Sequence, residues 1–411
     1  MTNYTTKAAQ AVQRMRRLFP ATPLLRNDHL SAMYDADIWL KREDLSPVRS
    51  YKLRGAYNAM GKQTDKDVFV CASAGNHAQG VAFVCRHMQK RGVIFMPVTT
   101  PQQKIQKTKT FGGDWVEIRL IGDFFDDTLR ASQEFCAQAG GHFLSPFDDL
   151  DVMEGQSTVT HELLEQLGRA PDVVILPVGG GGLSSSASCV LSEQAPDTQV
   201  YFVEPSGGAS LAAALQAGQP VTIDHVDTFV DGAAVARIGH HTFQVLKNVP
   251  PGHVISVAED RICTTIMDML NIEGVVLEPA GALAIDALKD LRDQIRGKTV
   301  VCISSGGNFD FERLPEVKER AQRFAGLKRY FILRLPQRPG ALRDFLQMLG
   351  PDDDISRFEY LKKSARNFGS VLLGIETSAP ENIEALVEQA THAGMGMRDI
   401  TNDQAMVDLI I

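Results

Sequence analysis

The chain has 411 residues, of which 44% are hydrophobic and 22% charged, and its formal net charge is -8. That length allows two or three domains around a substantial buried core. The acidic balance, with no dense basic block, speaks against non-specific nucleic-acid binding, and no apolar run reaches the length of a membrane span.

The first acid is Asp28, and Lys7, Arg14, Arg16 and Arg17 precede it. This pattern is similar to a mitochondrial presequence. The segment is short of serine, however, and runs straight into Thr22-Pro23-Leu24-Leu25, so we read it as an amphipathic helix ended by Pro20. The six cysteines (Cys71, Cys85, Cys136, Cys189, Cys263 and Cys302) are scattered, form no CxxC and sit mostly in apolar runs. Buried free thiols in a reducing cytoplasm fit them better than bridges or metal ligands.

From about Asp37 to Gly307 strand-like runs alternate with helical patterns. Ile38-Trp39-Leu40 leads to the stretch Ser50-Tyr51-Lys52-Leu53-Arg54-Gly55, after which Leu53, Ala56, Tyr57 and Met60 recur on one helix face. Ser50 reads as the N-cap, which places Lys52 in the first turn. The positive end of the helix dipole disfavours an ammonium there. The amine is pushed towards its neutral, nucleophilic form, which a Schiff base to an aldehyde cofactor requires.

Val68-Phe69-Val70-Cys71 reads as a strand, followed by the loop Ser73-Ala74-Gly75-Asn76-His77 and a helix with Ala78, Val81, Ala82 and Cys85 on one face. Further strands are expected at 93–96, 115–118, 173–176, 199–203 and 299–303. Their near-continuous apolar runs predict parallel sheets buried on both faces. The composition turns charged around 313–326, and then a β-α-β-β-α-β order begins. Phe331, Leu333 and Leu335 alternate, a helix follows Pro339-Gly340, strands are expected at 355–361 and 371–375, a helix stops near Gly394, and 406–410 reads as a last strand. That order is ferredoxin-like.

Three loops at strand ends carry the chemistry, where open α/β sheets bind ligands. Gly179, Gly180, Gly181 and Gly182 lie between a strand and a helix, where converging N–H groups suit a phosphate. A tight turn with close helix–sheet packing is the alternative, although four glycines cost much chain entropy. Residues 73–77 offer N–H donors and the Asn76 amide for a carboxylate and a phenolic oxygen; an ordinary turn with a structural His77 competes. Ser305 sits where a hydroxyl would face a pyridine nitrogen and leave it largely unprotonated, though from spacing alone a helix cap accounts for it better.

Residues 41–55 (KREDLSPVRSYKLRG), 73–80 (SAGNHAQG), 179–183 (GGGGL), 278–282 (EPAGA) and 305–308 (SGGN) together closely resemble the threonine ammonia-lyase (threonine dehydratase) family. The resemblance runs from about Thr22 to the C-terminus. It implies a fold type II pyridoxal-phosphate enzyme, α/β and similar to the tryptophan synthase β chain, with two parallel-sheet subdomains over residues 1–323. A C-terminal ferredoxin-like, ACT-like α+β domain would follow over 324–411.

By the same resemblance Lys52 is the catalytic, Schiff-base lysine, and Asn76 the partner of the cofactor's 3-hydroxyl. Gly179, Gly180, Gly181, Gly182 and Leu183 form the phosphate cup, and Ser305 is the partner of the pyridine nitrogen. Ser73, Ala74, Gly75, Asn76 and His77 bind the substrate carboxylate. Ala74 stands where serine racemases carry a serine, so racemisation is expected to be poor. Glu204 is kept, but Ser210 replaces the acid that helps those relatives hold a divalent ion, and no metal is assigned.

The implied reaction is β-elimination of water from L-threonine, giving 2-oxobutanoate and ammonia with pyridoxal 5'-phosphate. The C-terminal unit implies isoleucine biosynthesis, with isoleucine as inhibitor, valine as a possible opposing effector, and a homotetramer in the cytoplasm with no nucleic-acid or membrane partner. A serine dehydratase or another β-eliminating relative would share every cofactor motif. A catalytically dead amino-acid sensor is the alternative from a different class.

Overall fold

The computed structural model describes residues 3–361 and 367–403. The chain divides into two compact units, residues 1–309 and 310–411.

Among the described residues the first unit holds two sheets. One runs in the order Leu24–Arg26, Asp37–Arg42, Thr299–Ser304, Val173–Pro177, Gln199–Pro205, Val254–Val257. Only its first pair is antiparallel. The other is wholly parallel, in the order Val116–Leu120, Arg91–Met96, Val68–Ala72, His142–Phe143. Every residue of Val173–Pro177 and Thr299–Ser304 is buried, as the uninterrupted apolar runs predict. Alternation would mark a strand with one wet face, and these have none.

The N-terminal helix, Tyr4–Met15, buries Ala8, Ala11, Val12 and Met15. It stops five residues before Pro20, so proline is not what ends it. Arg14 bonds Asn58 and Glu154, and Arg16 bonds the buried Glu162. Trp115 belongs to a short 3-10 turn, and the strand expected at 115–118 begins at Val116.

Two helices position the lysine. Lys52–Lys62 crosses Leu150–Leu167 so closely that a Cβ added to Gly155 would lie 2.4 Å from the Arg54 carbonyl oxygen. The Arg54 guanidinium, fully buried, bonds Glu43 at 2.7 Å and Glu162 at 2.8 Å. Lys41, equally buried, reaches Glu162 at 3.0 Å. These paired charges lock the lysine helix to the strand before it and to the long helix beside it.

The second unit shows the ferredoxin-like order: Lys328–Pro336, Ala341–Leu346, Asp354–Leu361, Phe368–Glu376, Pro380–His392, Gly396–Asp399. Its antiparallel sheet runs Asp354–Leu361, Phe368–Glu376, Lys328–Pro336, Gly396–Asp399 over a core of Phe331, Leu333, Phe345, Leu373, Ile383 and Leu386. The last strand among the described residues is Gly396–Asp399, a short segment with Met397 as its one apolar side chain; the run at 406–410 lies outside the described residues. The helix Leu314–Phe324 is tied to this unit, because Glu319 accepts from Tyr330 Oη at 2.8 Å and pairs with Lys328 at 2.5 Å.

Candidate active site

Lys52 is the first residue of its helix, and Tyr51, in helical geometry, is the N-cap. Ser50 is therefore not the cap. It is drawn aside by a bridge to Gly306, and its buried hydroxyl finds no protein partner among the described residues. Lys52 Nζ donates to the Pro146 carbonyl at 2.7 Å. Its pKa is lowered to about 8, first by burial, with the nearby Glu278 carboxylate opposing the shift. Desolvation therefore leads in shifting this amine towards its neutral form, a part that the sequence pattern assigned to the helix end.

The other motifs converge on this lysine. The backbone N–H of Tyr51 donates to the Ser305 carbonyl at 3.2 Å. A Cβ on Gly80 would sit 3.2 Å from the Leu53 nitrogen, so the helix Asn76–Met88 packs on the lysine backbone and brings residues 73–77 beside it. The first-turn N–H groups of that helix have no intrahelical acceptor. An added Cβ on Gly75 would meet nothing within 4 Å.

Asn76 Nδ2 donates to Glu278 Oε1 at 2.6 Å, and Asn308 Nδ2 donates to Asn76 Oδ1 at 2.7 Å. Ser305 Oγ donates to the Ala280 carbonyl at 3.1 Å. His77 is buried with its Nε2 3.0 Å from the Leu144 carbonyl, and burial lowers its pKa to about 3. A neutral ring bonded to a carbonyl is a structural histidine, so its backbone N–H is what it offers the loop.

The tetraglycine turn is explained twice over. Gly181 has φ +87, the left-handed region that favours glycine. A Cβ on Gly180 would come within 2.3 Å of the Phe147 ring, one on Gly182 within 3.0 Å of Phe147 Cβ, and one on Gly179 within 3.0 Å of Ala233 Cα. Close packing thus demands these glycines on one side. On the other, the helix Gly182–Gln194 starts with N–H groups that lack a side-chain cap. Leu183, also in that first turn, is buried.

These residues fit a phosphorylated pyridine aldehyde. They offer a desolvated amine, an uncapped glycine-lined helix start for the phosphate, and open space at Gly75. Three buried polar atoms around them, Ser50 Oγ, Ser304 Oγ and Asn308 Oδ1, have no protein partner among the described residues.

Glu204, by contrast, is committed within the protein. Its two oxygens accept from the N–H groups of Leu211 at 2.7 Å and Ala212 at 2.9 Å. Burial still raises its pKa to about 7.

Sequence reasoning passed over loop 145–149, which supplies the acceptor of Lys52 and the ring over Gly180. Its signal was present, a Ser-Pro-Phe-Asp-Asp turn at the end of a strand and the start of a helix.

Comparison with known proteins agrees with the geometry. Residues 16–306 match the family model described as pyridoxal-phosphate dependent enzyme, and 319–410 match that of the C-terminal regulatory domain of threonine dehydratase. The biosynthetic L-threonine dehydratase IlvA of Bacillus subtilis (strain 168) is 47% identical over 407 residues, 98% of this chain and 96% of that one. Its namesake in Lactococcus lactis subsp. lactis (strain IL1403) is 43% identical over 97% of both chains. Among solved structures, the processed form of threonine deaminase isoform 2 from Solanum lycopersicum superposes with a TM-score of 0.72 at 36% identity, over 77% of this chain and 88% of that one. Maize serine racemase gives 0.71 at 25%, over 78% and 98%. The chain belongs to the threonine dehydratase family of pyridoxal-phosphate-dependent enzymes.

Proposed function

We propose that the first unit deaminates L-threonine to 2-oxobutanoate and ammonia with pyridoxal phosphate, as the opening step of isoleucine biosynthesis, and that isoleucine acts through the second unit to slow it. The observation that carries the catalytic reading is the Lys52 amine, half-buried, bonded to the Pro146 carbonyl at 2.7 Å and shifted towards its neutral form, with the loops 73–77, 179–183 and 305–308 gathered round it.

When bound, pyridoxal phosphate supplies an aldehyde for the substrate amino group and a conjugated ring that accepts electrons from the α-carbon. Gly179 to Gly182 and Leu183 would hold its phosphate, Asn76 would be the partner of its 3-oxygen, and Ser305, as a hydroxyl, would leave its ring nitrogen largely unprotonated. The Ser73 hydroxyl and the N–H groups of Ala74, Gly75, Asn76 and His77 bind the threonine carboxylate at the positive helix end, the Ser73 N–H being spent on the Phe95 carbonyl at 3.0 Å. Lys52 Nζ takes the α-proton: burial lowers its pKa to about 8, which raises the neutral share of the amine from well below about one in a thousand for an ordinary lysine to about one in ten at pH 7. Phe147 packs directly on Gly180 and so backs one side of the glycine turn.

Regulation finds support in a cavity of about 450 Å³ in the second unit, where Leu335, Leu342, Phe358 and Tyr360 form an apolar wall beside Arg338 and Arg343. A branched apolar side chain next to a carboxylate matches that lining. Valine is the natural competitor for it. A homotetramer in the cytoplasm completes the reading. Among the described residues no helix is long and apolar enough to cross a membrane.

Lys52→Ala tests the core of this. Threonine turnover and the long-wavelength absorbance of bound cofactor are expected to vanish together, and an intact band in that variant overturns the assignment. Serine turnover, measured beside threonine, separates the two substrates.

A further inference from the structure

Loop 145–149 joins three parts of the site. Pro146 gives its carbonyl to Lys52 Nζ at 2.7 Å, and Phe147 lies on Gly180. The next residue, Asp148, spends its carboxylate on another element altogether. Oδ2 accepts from the His240 N–H at 2.9 Å, and Oδ1 from those of His241 at 2.8 Å and Thr242 at 3.3 Å. The helix His240–Leu246 has Gly239 as N-cap and no side-chain cap of its own, so Asp148 satisfies its leading donors from 92 residues away in sequence. A Cβ on Gly239 would lie 2.5 Å from Asp148 Oδ1, so only glycine admits the carboxylate there. The same helix returns to the glycine turn, because Thr242 Oγ1 donates to the Gly180 carbonyl at 2.9 Å.

We propose that Asp148 is a positioning residue for Lys52: by tying loop 145–149 to the helix His240–Leu246, it holds the Pro146 carbonyl as acceptor of the free lysine amine and the Phe147 ring against Gly180. The inference relies on the proposed deamination only for the part that Lys52 plays in it.

Asp148 acts through the backbone of its loop, not by its own charge. The titratable group that bears on Lys52 is Glu278, at the head of the helix Pro279–Asp286, whose own pKa burial raises to about 8; His77, from the helix Asn76–Met88, is neutral, and Tyr51, the N-cap before the lysine, is held protonated by burial. Without the tether, carbonyl and ring are free to leave; loss of the carbonyl acceptor by itself favours the neutral amine, but water reaching Nζ removes the larger effect of burial, and the amine titrates closer to an ordinary lysine. Asp149 provides the contrast. It caps its own helix through Asp151 N at 2.8 Å and Val152 N at 2.9 Å, a local bond that stabilises the same stretch of chain without tethering the loop to the helix His240–Leu246.

The test uses the full-length chain with its cofactor removed and its fold checked by near-ultraviolet circular dichroism. Acetic anhydride is pulsed from neutral to alkaline pH, and modification of the Lys52 peptide is read by mass spectrometry. The wild-type midpoint is expected at about 8. Asp148→Ala should raise it by about one unit, so that modification at the wild-type midpoint falls about five-fold. Asp148→Asn, which keeps one acceptor oxygen, should raise it less. Asp149→Ala should lower the melting temperature and leave the midpoint in place.

A midpoint unmoved in both Asp148 variants, or moved as far by Asp149→Ala, overturns the proposal. If the alanine variant does not fold, Asp148→Asn carries the comparison alone, and its midpoint must rise. No threonine enters the measurement. A chain that titrates as expected yet fails to turn over threonine would refute the functional reading and leave this one standing.

Discussion

Glu278 is a carboxyl group that the fold has taken out of water and set between Asn76 and the backbone of Gly306, where an added Cβ would lie 1.9 Å from its Oε1. Burial raises its pKa to about 8, and Asp231 adds to the shift; the Asn76 hydrogen bond and then Lys107 and Lys104 oppose it. In the unfolded chain the same group titrates near the usual glutamate value of about 4.3. Between those limits the folded state binds more protons than the unfolded one, so stability must fall as pH rises. Each unit of separation is worth about 1.4 kcal/mol. Glu278→Gln removes this dependence while keeping an acceptor for Asn76. The melting temperature of the cofactor-free variant should exceed that of the parent chain by a margin that grows from pH 5 to pH 8. A margin independent of pH would show that the carboxyl is not the titrating group.

At the level of elements, the decisive contact is the crossing of Lys52–Lys62 over Leu150–Leu167. Gly155 approaches within 2.7 Å of Gly55 Cα when given a Cβ, and Gly55, given one, meets Val152 Cγ1 at 2.7 Å. Two helix backbones can touch like this only where neither carries a side chain. Gly155→Ala should therefore force the helices apart, costing about 1–3 kcal/mol as an overpacking substitution, and should carry Lys52 out of line, so that kcat falls more than KM rises. Gly252→Ala, where an added Cβ meets nothing within 4 Å, is the control and should leave melting temperature and turnover alone. This crossing also marks how far the sequence could be read. Buried strands such as Val173–Pro177, the turn at Gly179 to Gly182 and the place of Lys52 at a helix start were legible, because apolar runs, glycine repeats and helix-face spacing are local signals. Partners about a hundred residues apart leave no local signal, so the Gly55–Gly155 contact, the Pro146 acceptor and the Asp148 tether stayed hidden. Ser50 was misread for a related reason. Serine before a helix suggests a cap, but a bridge to Gly306, 256 positions on, decides its geometry instead.

For the whole molecule, the question is what the second unit adds. It has its own sheet and its own core, so its interior does not depend on residues 1–309 for packing. A unit built that way can act on the first only by binding a ligand whose affinity differs between two states of the enzyme. If isoleucine binding lowers the apparent affinity for threonine by some factor, threonine must lower the affinity for isoleucine by the same factor. That reciprocity can be measured in the full chain, by threonine kinetics at several isoleucine concentrations and by isoleucine binding with and without a non-reacting threonine analogue. The complementary experiment removes residues 310–411. The shortened chain should still turn over threonine, because Lys52, the glycine turn and residues 305–308 all lie before the cut, and its rate should no longer respond to isoleucine. A further arm places charge in the cavity wall of the intact chain: Leu342→Glu should abolish the isoleucine response while leaving the rate without isoleucine near that of the parent, since Leu342 lies in the second unit's cavity and outside the catalytic loops. A shortened chain that remains as sensitive to isoleucine as the full one would place the effector in the first unit and remove the regulatory role from the second.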